Sequence, residues 1–385
     1  MRLGLHLSGS QSILLIVVVV TSVLIGSWHG FRSRPMRVYI AGDLGGTNCR
    51  LVMVQIDPEG TESILAEKVY KSQEYPHLSV IMQTFIVEAQ SKVPPSVACI
   101  AVAGPVTENR IAHITNLNWQ LDAPQMAQAL HLDDVFLLND FAAIGYGLLG
   151  LKSEDFIKLN DAVAVPHAPI ACLGAGTGLG EVFLTHNGEE YEVWPSEGGH
   201  TDFPARSMLE FELMEFVRGR SNVDRVSVER IVSGSGLPNI YKFFKQKHPE
   251  IISQSVEDEL RKGADPGEVI TRHALDSSDV LCHQAFETWL AAYGAEAGNL
   301  ALKTLSFGGV FIAGGIAPKI LKAFMNDNTF YFNMCHKGRM KEVIHKMPVY
   351  IVKRTDVGMI GARVVSHRRF RALEGANHQL GKIAV

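Results

Sequence analysis

Charge is scarce in this sequence. Asp, Glu, Lys and Arg make up 20% of its 385 residues, against 46% hydrophobic residues. A chain of that composition builds cores, which excludes wholesale disorder. Neither sign dominates: 36 basic and 40 acidic side chains leave a formal charge of −4. Nothing in that balance attracts a polyanion, so nucleic acid is not expected as a partner. Cysteine is sparse too. Cys49, Cys99, Cys172, Cys282 and Cys335 are odd in number, and no pair has C-x-x-C spacing. That excludes a disulfide framework and a cysteine-rich zinc site, and suits a reduced, cytosol-like compartment. Also missing are the P-loop pattern G-x-x-x-x-G-K-[ST] and the dinucleotide pattern G-x-G-x-x-G. No proline-rich or serine-rich linker divides the chain, although its length suggests two or three domains.

One long apolar run stands apart. Residues 12–26 read SILLIVVVVTSVLIG, and the nearly uncharged stretch continues to Trp28. Its length is at the lower edge for crossing a bilayer and within the range of a signal-peptide core. Only Arg2 precedes it, whereas Arg32, Arg34 and Arg37 follow. A spanning helix with those flanks would keep the following domain cytosolic, and the lack of any N-x-[ST] sequon agrees. Two readings of residues 1–35 stand side by side. They form a membrane tether or targeting segment through 12–28, or they extend a chain whose translation starts at Met36. A cleaved secretory signal ranks behind both, because nothing downstream looks secreted. In either leading case the catalytic part is expected in the cytoplasm.

What is abundant is glycine: 35 residues, about 9% against an average near 7%. The glycines cluster after apolar runs, where backbone can approach a ligand closely. The spacing of apolar residues predicts three antiparallel strands within 38–70, a helix near 77–90 and a buried strand at 97–102. A helix at 123–130 and a buried strand at 135–138 follow. About 130 residues after the first glycine turn the pattern restarts, with strands at 169–173 and 181–184 around a second glycine turn. Helices are expected at 208–218, 227–232 and through 256–305, and a buried strand at 309–313. The restart predicts a duplicated α/β architecture of two lobes with a cleft between them.

Gly45 and Gly46 permit a tight hairpin with outward N–H groups, and Thr47 adds a hydroxyl donor. Asp43 puts a carboxylate beside that turn, as needed to orient the waters of a Mg²⁺ ion. Alone, this could be a plain β-hairpin. The segment Gly174-Ala175-Gly176-Thr177-Gly178-Leu179-Gly180 repeats the design in the second half. Two such turns could grip a polyphosphate from both sides of a cleft. Asn139 and Asp140 end a buried strand, where α/β sheets carry ligand groups. They suit a polyhydroxylated substrate, or they cap a helix. Glu197 and His200 flank Gly198-Gly199 and could bond vicinal hydroxyls, or they belong to a surface turn. Glu229 alone reads as a first-turn glutamate of a helix. The strand ending in Gly314-Gly315 could seat an adenosine or simply pack closely.

In this order the segments Gly42–Asn48, Leu138–Phe141, Gly174–Gly180, Glu197–His200 and Gly309–Ile316 resemble those of bacterial-type glucokinases. The resemblance spans Met36 to about Leu373. It implies the actin-like, hexokinase-type ATPase fold and transfer of the ATP γ-phosphoryl group to the 6-hydroxyl of glucose. By the same resemblance Asp140 is the catalytic base, and Asn139, Asp140, Glu197, His200 and Glu229 contact the sugar. Asp43, Gly45, Gly46, Thr47 and Asn48 then form one phosphate segment, and Gly174, Ala175, Gly176, Thr177 and Gly178 the other. Gly314 and Gly315 lie near the adenosine, Asp43 holds Mg²⁺ through water, and a homodimer is expected. A small lobe of 37–149 plus 354–374 and a large lobe of 150–353 are implied as well. A related family of repressors and sugar kinases has a cysteine-rich zinc motif after its E-x-G-H segment. Here Thr201-Asp202-Phe203-Pro204-Ala205 follows His200, which points to the zinc-free branch. Rival readings are a kinase for mannose or an amino sugar and a non-catalytic sugar sensor.

Overall fold

The structure, a computed structural model, describes residues 36–383. The expected tether or extension in residues 1–35, with its apolar stretch 12–28, lies outside the described residues. Among those residues, no helix is long and apolar enough to cross a membrane.

The duplicated architecture is present in the strand order. In the first half, β1 (Arg37–Leu44), β2 (Asn48–Ile56) and β3 (Glu62–Lys71) form an antiparallel meander. β4 (Val97–Val102) then joins β1 in parallel. A small separate sheet of β5 (Val106–Thr107), β6 (Ile111–Ile114) and β7 (Trp119–Asp122) intervenes before β8 (Asp134–Asn139) joins β4 in parallel. The resulting order is β3-β2-β1-β4-β8. After β9 (Phe156–Lys158), the second half repeats the scheme with β10 (Ile170–Ala175), β11 (Leu179–His186) and β12 (Tyr191–Ser196). β13 (Gly309–Ile312) and β14 (Val349–Val352) add to it in parallel, and the order is β12-β11-β10-β13-β14-β9. Except for the edge strand β9, the two sheets have the same order and sense.

Side chains alternate across each strand and so feed a core on either face. Val38, Ile40 and Leu44 of β1 point into one cluster, while Tyr39 and Ala41 point into another. β4 is buried at all six positions because both faces are covered. The helix Val357–Ile383 supplies one cover: Met359, Ala362, Val365 and Phe370 pack on Tyr39, Ala41 and Val52.

The helix Asp140–Leu148 connects the sheets, and small residues let it pack closely on both sides. A Cβ on Gly145 would lie 2.7 Å from Val193 and 3.0 Å from Val182 of the second sheet. On its other side, a Cβ on Gly361 would overlap the Ala143 carbonyl, and one on Gly147 would overlap that of Val357.

Two expected helices differ. Residues 227–232 form only a short 3₁₀ turn, Val228–Arg230, because Val228 N is drawn to the Thr201 carbonyl (2.9 Å) and Asp202 bridges to Ser227. The expected helical stretch 256–305 is three helices, Gln254–Arg261, Pro266–Leu275 and Val280–Thr304. Gly263 at φ +84° stops the first. Asp265 and Asp279 then cap the next two by accepting from Glu268 N and Cys282 N.

Candidate active site

The first glycine turn joins β1 to β2. Gly45 N donates to the Asn48 carbonyl at 2.9 Å, and Gly45 and Gly46 are half-buried while Thr47 and Asn48 are exposed. A buried serine holds this turn from behind. Ser72 N donates to the Thr47 carbonyl (2.9 Å), and Ser72 Oγ to the Gly45 carbonyl (2.9 Å). With those carbonyls engaged, the turn's remaining polar groups can face a ligand.

The second turn occupies the corresponding place between β10 and β11. Gly176 N donates to the Gly178 carbonyl at 2.8 Å. Here too the support comes from elsewhere in the chain: Gly234 N donates to the Gly176 carbonyl (2.8 Å), and Leu179 N to Glu229 Oε2 (3.0 Å). Glu229 therefore lies against the second turn, and any side chain at Gly178 would overlap its carboxylate. Gly314, at φ +86°, approaches the same turn so closely that a Cβ would lie 3.0 Å from the Ala175 carbonyl. Nothing lies within 4 Å of where a Cβ on Gly315 would be.

Asn139 fills the capping role that its sequence position also allowed. Its Oδ1 accepts from Phe141 N (2.9 Å) and Ala142 N (3.1 Å), and its Nδ2 donates to the Gly104 carbonyl (3.2 Å). One amide hydrogen remains for a ligand. Asp140 accepts from Phe141 N at 2.8 Å. Parallel pairing aligns this strand end with the first turn, since Asp43 pairs Ala101, and Val102 pairs Asn139. The Asp140 carboxyl is reachable by water, yet protein crowds it on most sides. That crowding pushes its pKa above the ordinary aspartate value, and the nearby Asp43 and Glu197 carboxylates push the same way against the Phe141 amide. Asp43, exposed to water at the end of β1, is raised as well by the protein packed around it, with Arg50 opposing. Two carboxylates from separate segments, Asp43 and Glu197, thus act on Asp140.

Glu197 and His200 face each other, with Oε2 and Nε2 at 3.6 Å, and both are largely exposed. Their turn packs on the second half of the chain, where any side chain at Gly199 would overlap the Leu179 carbonyl.

A cavity of about 860 Å³ opens beside the second turn. Of the sequence-derived site residues, only Gly176 and Thr177 line it; Ile316, next to Gly314-Gly315, lines it too. Its other walls come from Ser233-Gly234-Ser235 and from the helix Pro266–Leu275. Sequence reasoning passed over these walls. The serine-glycine cluster was a visible signal for the first, whereas nothing local marks the second. Among the described residues, all five cysteines are free and buried.

A two-sheet fold with paired glycine turns, an aspartate crowded by two other carboxylates and an adjoining cavity invites comparison with known proteins. The family model for glucokinase matches residues 40–369. The chain belongs to the glucokinase family. It is 44% identical over 343 residues to a glucokinase of Nostoc sp., covering 86% of this chain and all of the relative. A crystal structure of glucokinase from an Antarctic psychrotroph superposes with TM-score 0.73 at 27% identity, covering 86% of this chain and 99% of that one. A ROK family glucokinase from Streptomyces griseus, in complex with glucose and AMPPNP, superposes with TM-score 0.56. At 19% identity, covering 86% of this chain and 99% of that one, it shows the fold alone. That fold is the actin-like ATPase fold of sugar kinases, and this glucokinase-family chain is a sugar kinase that uses ATP.

Proposed function

We propose that the cleft phosphorylates glucose with Asp140 as the general base. The single observation that carries this reading is the position of Asp140, directly after β8, where the parallel register aligns the strand end with the first glycine turn; Asp43 and Glu197 are near enough to raise its carboxyl. The 6-hydroxyl proton passes to the Asp140 carboxylate as the oxygen's lone pair forms a bond to the γ-phosphorus. The bond from that phosphorus to the bridging oxygen breaks, and ADP leaves. Positioning and electrostatics dominate such transfers. Glu197 and His200 accept and donate to sugar hydroxyls, and Asn139 contributes its remaining amide hydrogen. Glu229 reads the sugar from beside the second turn. Asp43, Gly45, Gly46, Thr47 and Asn48 hold phosphate from one side, and Gly174–Gly178 from the other. The cavity beside Gly176 takes the adenosine, with Gly314 and Gly315 at its edge.

The donor set fits Mg²⁺. Asp43 offers hard carboxylate oxygens at the exposed end of β1, beside the first glycine turn. Asp43 would hold it through water, and when bound it supplies charge neutralisation for the phosphates. Separately, we propose a homodimer, checked by light scattering. For residues 1–35 a tether through 12–28 and an extension ahead of a start at Met36 stand side by side, and membrane fractionation of the full chain against one starting at Met36 decides between them.

Asp140→Asn tests the base. The amide keeps the shape and can still bond a hydroxyl, but it accepts no proton at neutral pH. The expected result is a kcat lower by about 10²–10⁴-fold, with glucose binding by calorimetry weakened far less. Retention of a tenth or more of kcat, about 1.4 kcal/mol, overturns the assignment.

A further inference from the structure

Beneath the Glu197–His200 turn lies a carboxyl group that the mechanism does not use, with a second one near it. Glu181 on β11 is 2% exposed and Glu296 on the helix Val280–Thr304 is 3% exposed. Each has an Oε1 atom without a hydrogen-bond partner. Glu181 pairs in register with Ser196, directly before the turn, and its Oε2 lies so close under Gly198 that any side chain there would overlap it. The two acids are not equivalent. Glu296 has a donor at hand, Asn299 Nδ2 to its Oε2 at 2.9 Å, and Lys303 Nζ stands 4.0 Å from its Oε1.

We propose that Glu181 is a positioning residue for the sugar-reading turn: as a neutral acid it supports Gly198, and on ionisation it displaces the turn. The proposal rests on the reading of Glu197 and His200 as sugar contacts. A buried carboxylate without donors must draw in water or move toward a cation, and the nearest element able to yield is the turn on top of it. Burial pushes the Glu181 carboxyl up to about 7, the Glu296 carboxylate adds to this, and Lys303 opposes. Tyr293, Glu296 and Lys303 face it from one helix. Lys337 reaches that helix through Asn299 and the Ala295 carbonyl, and the turn itself brings Ser196, Glu197 and His200. Glucose bound by the turn favours the neutral acid, so binding takes up a proton where Glu181 is otherwise ionised.

The test is glucose affinity by calorimetry on the full chain without nucleotide, from pH 5.5 to 8.5, in buffers of different ionisation enthalpy. The wild type is expected to lose affinity as pH passes about 7, approaching at most about tenfold per pH unit for one coupled proton. Net proton uptake should accompany that loss. Glu181→Gln should bind with a constant affinity near the wild type's low-pH value and take up no such proton. Glu296→Gln should keep the pH dependence with its midpoint at lower pH, because a repelling carboxylate is gone; this variant reads the proposal even if Glu181→Gln fails to fold. A flat wild-type profile overturns the proposal. So does a Glu181→Gln profile that is merely weaker at every pH, which is what a purely structural role gives. Glu197→Gln separates the underlying reading: unchanged glucose affinity there removes the sugar-reading turn, and this proposal with it.

Discussion

Asp140 shares the cleft with two other negative groups, so its protonation depends on residues far away in sequence. Its carboxyl is raised by burial and by the charges of Asp43 and Glu197. A base must be ionised before it accepts a proton, so kcat should fall as pH drops through this raised value. The acid limb therefore lies above the pH at which an ordinary aspartate would place it. Removing one repelling charge eases ionisation. Glu197→Gln, assayed at saturating glucose, should move the acid limb of kcat toward lower pH, while its glucose KM rises. The pH–rate profile checks this, and a limb that stays in place or moves upward rejects electrostatic coupling between Glu197 and Asp140.

At the level of elements, the crossing of the helices Asp140–Leu148 and Val357–Ile383 depends on bare backbone. Gly361 meets the Ala143 carbonyl there, and Gly147 meets the Val357 carbonyl. Gly361→Ala forces the helices apart and should destabilise the protein by about 1–3 kcal/mol. Gly358→Ala in the same helix is the control, since nothing lies within 4 Å of the added methyl. There the better helix propensity of alanine should be neutral or stabilising by up to about 1 kcal/mol. Denaturant melts of both variants check the pair, and equal losses would reject the close crossing. No sequence pattern points to Gly361, because its partner sits more than 200 residues away. The restart of the strand pattern was readable, since both glycine turns follow apolar strands whose alternation is local, but the strands Tyr191–Ser196 and Val349–Val352 were not foreseen. The strands Val106–Thr107 and Ile111–Ile114 are too short for alternation to register. Ser72 looks ordinary in sequence and acquires its meaning only from the carbonyls of the turn it holds. Asn139-Asp140 was ambiguous for a different reason: a capping pair and a ligand-binding pair need the same residue types, and Asn139 caps with most of its bonding capacity.

For the whole molecule, the proposed sugar contacts are divided. Asn139 ends a strand of the first sheet and Asp140 begins the helix after it, whereas Glu197, His200 and Glu229 are fastened to the second through Leu179. Glucose that bonds to both groups draws the halves together. Closure also serves the chemistry, because water competes with the sugar hydroxyl for the γ-phosphoryl group. Movement is constrained where the halves already touch: the Phe141 ring is packed so tightly on Gly174 and Gly180 that a Cβ at Gly174 would lie 2.8 Å from it. That contact suits a pivot for the proposed turning of a lobe of 37–149 plus 354–374 against 150–353. Small-angle scattering with and without glucose, in the absence of nucleotide, should show a smaller radius of gyration with sugar, from a starting value of about 20 Å. Asp140→Asn should still close, because it retains the hydroxyl contacts and loses only the base. An unchanged radius at saturating glucose would mean that sugar binding is confined to one half, and the exclusion of water would then have to await ATP.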